Sequence, residues 1–329
     1  MTGRVAESMV NRALPGRLAM TIVAVLYIVA LAAAAQYSGG RYLLFPGLAA
    51  LSYEVLTRPW GKWARRPGRL IAAPTLAAAL GIAITRGAPY HALTVLLVVA
   101  LCLLLLAVLR STVAPAIAAG TLPLVLGLKS WFYPASIALG LVVLVGIVLP
   151  WRNRYLRMDR DCPKVSGRHC ADFLDGPPTA DIWILPFFLF LTVLAVCAAA
   201  SGLRLILFPP LIVLAYEMFA HPTSCPWARK PFAIPVICFL VSSTGWLAVS
   251  LFGSSGLAAA FGMMSGIIVL RLLHIHMPPA LAIGLLPLVL HSPNISYPIS
   301  AAIGSGALAL AFLFSRPIIG QGHAGFRTR

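Results

Sequence analysis

The chain has 329 residues, 60% of them hydrophobic and only 10% charged, where soluble domains average about 25% charged. A chain of this size still exposes a large surface when folded, and it has too few polar side chains to cover that surface in water, so lipid is the solvent that fits. The net charge of +17 lies between apolar runs and is not gathered on one polar face, which argues against a nucleic-acid partner and for the positive-inside pattern of a membrane protein.

The first apolar run, Leu18 to Ala35, follows Arg4, Arg12 and Arg17. It is longer than the core of a signal peptide, about 7–15 residues, and is read as a retained span. The next stretch, about 42–56, belongs to "RYLLFPGLAALSYE", which runs from Arg41 to Glu54. A basic segment follows with Arg58, Lys62, Arg65, Arg66 and Arg69. Four more apolar stretches lie near 70–85, 91–109, 113–128 and 134–150. The longest hydrophilic segment, about 151–181, carries Arg152, Arg154, Arg157, Arg160, Lys164 and Arg168, and with them five of the eight acidic residues. Within it "CPKVSGRHC" sets Cys162 and Cys170 around His169, at a spacing that matches no zinc pattern; no metal or other cofactor is expected. Six further apolar stretches follow, near 182–200, 205–220, 232–252, 256–273, 277–290 and 297–315.

The second half repeats the first. "RLILFPPLIVLAYE" (Arg204 to Glu217) restates the segment from Arg41 to Glu54, 163 positions later. "WARRP" (Trp63 to Pro67) returns as "WARKP" (Trp227 to Pro231), and "APAIAAGTLPLVL" (Ala114 to Leu126) as "PPALAIGLLPLVL" (Pro278 to Leu290). Order and spacing survive over about 110 residues, the signature of a tandem duplication. The expected architecture is an all-α, polytopic transmembrane bundle of two repeats, 1–165 and 166–329, each with about six apolar segments.

A spanning helix needs about 20 residues. The second and fifth stretches of each half have only 14–16 and carry Pro46, Pro209, Pro115, Pro278 and Pro279 near their starts. Short, proline-broken segments in matching positions of two halves point to a transport site. The basic segments all fall on one side if the short stretches cross, giving twelve crossings with both termini cytoplasmic, in the plasma or inner cell membrane. Eight long spans with four re-entrant segments is the alternative. Either way each half crosses an even number of times, so the halves run parallel.

Glu54 and Glu217 are the only acidic residues inside apolar stretches, each preceded by a tyrosine, Tyr53 and Tyr216. One reading is local helix pairing, with Arg58 and His221 four residues on. The other is a gating or proton-coupling carboxylate, since ionisable groups at membrane depth mark function. Arg41 and Arg204 stand at the outer ends of the same segments, either snorkelling to headgroups or forming an entrance for anions. Arg110 and Thr112 align with His274 and His276, just before the Pro-opened segments, where they could form a polar substrate pocket or simply end a helix. No phosphate loop, His-Glu-x-x-His or Ser-His-Asp pattern is found, so no enzyme chemistry is expected.

"HIHMPPALAIGLLPLVL" resembles the signature of the HPP integral-membrane family, in which His-Pro-Pro-Ala opens a Gly/Ala-rich segment. "CPWARKP" precedes it by about fifty residues, as a Pro-x-x-x-Pro-Arg segment does in that family. The resemblance covers about 200–315, and about 38–150 through the repeat; typical members look like one copy. Met277 stands where the signature has His, with His276 one place earlier. The resemblance implies transport of a small anion, since some members are associated with nitrite. The expected function is therefore a transporter or channel for a small anion (nitrite-like, bicarbonate-like or a small carboxylate), its site between the repeats and its partners the bilayer and that anion. A membrane enzyme or binding protein for lipid phosphates, or a non-transporting accessory subunit, is the alternative, and a homo-oligomer stays open.

Overall fold

The computed structural model describes residues 2–38, 44–59, 61–160, 181–290 and 294–326. Arg41 and the segment from Cys162 to Cys170 lie outside the described residues. Among the described residues there are thirteen α-helices and no strand. This follows from the solvent, because a backbone in hydrocarbon must satisfy its polar groups within its own segment.

The long helices are α1 (Thr2–Tyr37), α4 (Pro67–Gly87), α7 (Phe132–Arg160), α8 (Ile184–Ser201), α10 (Ala233–Phe252) and α13 (Ser296–Phe326). Each contains a stretch long and apolar enough to cross a membrane, so the fold is that of a multi-pass membrane protein. Their outer faces carry large exposed side chains such as Leu26, Leu185, Val193, Leu251 and Leu310. In water these would be a liability; against acyl chains they are ordinary surface. Two further apolar helices of 17 residues, α5 (Ala92–Val108) and α11 (Gly256–Leu272), pack beside them.

The short helices are α2 (Gly47–Thr57), α6 (Pro115–Leu126), α9 (Pro209–Ala220) and α12 (Pro279–Leu285), with the single turn α3 (Lys62–Arg65) after α2. They are shorter than the 14–16 residues their apolar stretches suggested. Proline is the reason: Pro46 and Pro278 occupy N-cap positions, and Pro115, Pro209 and Pro279 open the first turns, so the residues before them run as loop or a single 3₁₀ turn. Helix α6, at 12 residues, is only about 18 Å long. Almost every residue of α6, α9 and α12 is buried. A helix apolar all round belongs inside a bundle, and these occupy its centre.

Packing crosses between the halves reciprocally. Helix α1 lies against α11, and α8 against α5; α2 lies against α12, and α9 against α6. Within each half the tightest crossings rest on glycine. A Cβ built on Gly81 would overlap the Gly120 carbonyl, bringing α4 and α6 backbone to backbone, and a Cβ on Gly245 would overlap the Gly284 carbonyl between α10 and α12. Small residues are the usual means of close approach in lipid. Beside each crossing a buried tyrosine ties the following long helix to the short one: Tyr133 donates to the Ala119 carbonyl at 3.1 Å, and Tyr297 to the Ile283 carbonyl at 2.7 Å.

Candidate functional site

The carboxyl ends of α2 and α9 and the amino ends of α6 and α12 converge on one small cavity. It holds about 10 Å³, room for about one water-sized sphere. Its wall is built in pairs: Glu54 with Glu217, Trp63 with Trp227, Pro115 with Pro279, Ala50 with Val213, and Ala114 with Pro278. Every wall residue thus has its counterpart at the offset of 163 or 164 seen in the sequence.

The two carboxylates share this wall but not their surroundings. Glu54 is buried in the last turn of α2. His276, in the loop before α12, donates from Nε2 to its Oε2 at 2.7 Å, and Arg58 donates to its Oε1 at 3.3 Å. The His276 ring in turn stacks on Tyr53, with 6.3 Å between centroids and 30° between planes. Glu217, 3% exposed in α9, has an Oε2 with no hydrogen-bond partner. The Nε1–H of Trp227, 1% exposed, also lacks one, whereas its counterpart Trp63 donates to the Thr112 carbonyl at 3.0 Å. Two unsatisfied polar atoms therefore belong to the side of the cavity formed by the second half. In native folds such atoms are few and call for a physical reason.

Backbone donors do not supply it. The prolines at 115, 278 and 279 have no N–H, and the next groups are taken: Ala116 donates to Val113, Ile117 to Ala114, Ala280 to Met277 and Leu281 to Pro278. The wall residues therefore include an unpartnered carboxylate oxygen and an unpartnered indole N–H, near the starts of two helices.

The other residues singled out in the sequence lie elsewhere. Arg204 is exposed at the opposite end of α9 from Glu217, with its guanidinium 5.1 Å from the centre of the Tyr90 ring, a cation–π distance. Tyr216 packs into an aromatic group with Trp183 and Phe187. Arg110 and His274 are exposed, and among the described residues they are the two non-glycines with left-handed backbone, at φ 47° and 51°. Each follows the carboxyl end of a 17-residue helix, in the αL position that often closes helices. His274 Nδ1 lies 3.0 Å from the Leu272 carbonyl. Thr112 is exposed near Arg110. Of the six residues expected to bind substrate, only His276 reaches a carboxylate of the cavity, and Arg41 is outside the described residues.

Sequence reasoning misses Trp227 as a site residue and places it only within the repeated "WARKP". The signal was available in the pairing of Trp63 with Trp227. Among the described residues no group of three or more His, Cys, Asp or Glu could hold a metal ion. Compared with protein-family models, curated proteins and solved structures, the chain finds no match in any of the three. The class defined by the fold is a multi-pass helical membrane protein with a paired-carboxylate cavity at its centre.

Proposed function

We propose that the chain is a proton-linked carrier of a small anion, with Glu54 and Glu217 as its coupling pair. The observation that carries this reading is the unpartnered Glu217 Oε2, buried in the cavity wall opposite a Glu54 that already has two partners. A carboxylate without a partner is costly away from water, so this group is neutral, or holds a cation, whenever the cavity is closed. It becomes charged when the cavity opens to water. That is the cycle a proton-coupled carrier needs, and intramembrane carboxylates serve such relays.

The paired wall supports the second element of the reading, two parallel repeats, 1–165 and 166–329, with the site where they meet. The matching glycine crossings and tyrosine ties support it as well. Short helices broken by proline at the midline of two repeats are the usual frame of a carrier site. The alternation of basic segments with apolar runs supports an orientation with both termini on the cytoplasmic side. The resemblance of "HIHMPPA" to the HPP signature favours a nitrite-sized anion, with bicarbonate and short carboxylates as the other members of the test set. Such an anion is larger than the closed cavity and enters with its proton when the seam between the halves opens.

Proteoliposomes carrying a pH-sensitive dye test this directly. With an inward proton gradient, one of nitrite, bicarbonate or formate is taken up and the lumen acidifies with it. Glu217→Gln abolishes the gradient-driven component. If none of these anions moves and no proton flux accompanies any of them, the reading fails.

A further inference from the structure

A second cavity lies on the other side of Trp63, which lines both, and opens where α4 begins and α5 ends. It holds about 140 Å³ and is lined by Arg66, Arg69 and Arg110 together with Ser111 and Thr112. No carboxylate among the described side chains pairs with any of the three arginines. One of them is already fixed, because Arg69 donates from Nη1 to the Arg110 carbonyl at 2.5 Å. Arg66 is the N-cap of α4, a helix of 21 residues with no side-chain cap, so the positive end of that helix adds to the three charges.

The second half shows what the fold requires of these positions. His274 holds the same left-handed turn as Arg110, so the turn does not need arginine. Lys230, Ala233, His274 and Ile275 stand at the positions of Arg66, Arg69, Arg110 and Ser111. The walls of the central cavity are paired, whereas three of the residues lining this basin, Arg69, Arg110 and Ser111, have counterparts of different chemistry in the second half. Three arginines without a described carboxylate partner around one hollow, two of them at positions where the second half has alanine and histidine, point to an anionic occupant.

We propose that this basin binds a phosphate group. Guanidinium forks match phosphate oxygens two at a time, and the Ser111 and Thr112 hydroxyls can donate to the remaining ones. A carboxylate presents its oxygens in one plane, whereas a phosphate presents them tetrahedrally, towards groups on several sides. The phosphate can come from an anionic phospholipid headgroup at the membrane surface or from a soluble phosphate in the adjoining water. The proposal does not rest on the proton-linked reading, although Trp63 lines both cavities.

Two measurements on the purified full-length chain separate these sources. Titration calorimetry with inorganic phosphate in detergent tests the soluble one. Native mass spectrometry after incubation with mixed phosphatidylglycerol and phosphatidylcholine tests the headgroup. The variant is the double change Arg66→Gln with Arg110→His, which keeps the turn that His274 makes in the other half; circular dichroism and size-exclusion elution check its fold. Loss of two of three guanidinium partners weakens phosphate binding, or selective retention of phosphatidylglycerol, about tenfold or more, and raised salt weakens the wild type in the same direction. Arg69→Lys, which keeps the charge but loses the fork, weakens it less. The proposal is overturned if a folded double variant binds both probes as the wild type does, or if the wild type binds neither probe.

Discussion

Glu54 and His276, 222 residues apart in sequence, meet at 2.7 Å and join α2 of the first half to the loop that opens α12 in the second. The same carboxylate keeps its local partner Arg58 at 3.3 Å, so local pairing and pairing across the halves coexist on one side chain.

That arrangement makes the pair a structural tie as well as part of the cavity. Removing His276 by His276→Ala costs about 1.5–3 kcal/mol, the range for a hydrogen bond to a charged group, with Arg58 limiting the loss. Glu54→Gln alone is also destabilising, and the double change costs less than the sum of the two. A double-mutant cycle on the unfolding midpoint in detergent checks this; strict additivity would mean that the contact contributes nothing.

Glu217→Gln behaves differently. The amide has nearly the same shape as the neutral carboxyl group and spares the cost of keeping an unpartnered carboxyl uncharged, so the fold is unchanged within about 1 kcal/mol or gains stability. Unfolding midpoints of Glu217→Gln and Glu54→Gln, measured side by side, should separate in that order.

The two tryptophans give a matched contrast. Trp63→Phe loses the hydrogen bond to the Thr112 carbonyl and costs about 1 kcal/mol beyond its packing change. Trp227→Phe loses no such bond, since its N–H has no partner, and it costs less. The comparison is read from the same thermal melts; an equal or larger loss at Trp227 would show that its N–H is bonded in the membrane.

Glycine substitutions test the helix crossings. Gly245→Ala forces a methyl into the Gly284 carbonyl and costs about 1–3 kcal/mol or more, seen as lost monodisperse yield and a lower midpoint. Gly81→Ala does the same against Gly120. Gly306→Ala, in α13 with nothing near the added carbon, is neutral or stabilising by up to about 1 kcal/mol.

Much of this fold was legible in the residues. Runs such as Leu18 to Ala35 have one reading in any solvent, and the prolines at 46, 115, 209 and 279 announced where short helices would begin. Glu54 and Glu217 stood out because so few acidic residues lie inside apolar stretches. What could not be read was which side chains meet. Nothing in "HIHMPPA" says that His276 turns towards Glu54 while its aligned partner Thr112 stays outside. That depends on how α2 and α12 pack, a relationship between distant segments. The left-handed turns at Arg110 and His274 were hidden for a different reason: glycine or asparagine usually marks them, and here neither does. Arg204 was readable as a charge at a helix end, but its seat over Tyr90 depends on a loop from the other half.

The glycine crossings set how this molecule can move. Main chains that touch have no cushion of side chains to deform, so α4 with α6, and α10 with α12, form two stiff plates. Along α6 with α9 and α2 with α12, where each plate meets a short helix of the other half, no described glycine lets backbones touch. Slip is concentrated on those two joints, and both end at the carboxylates.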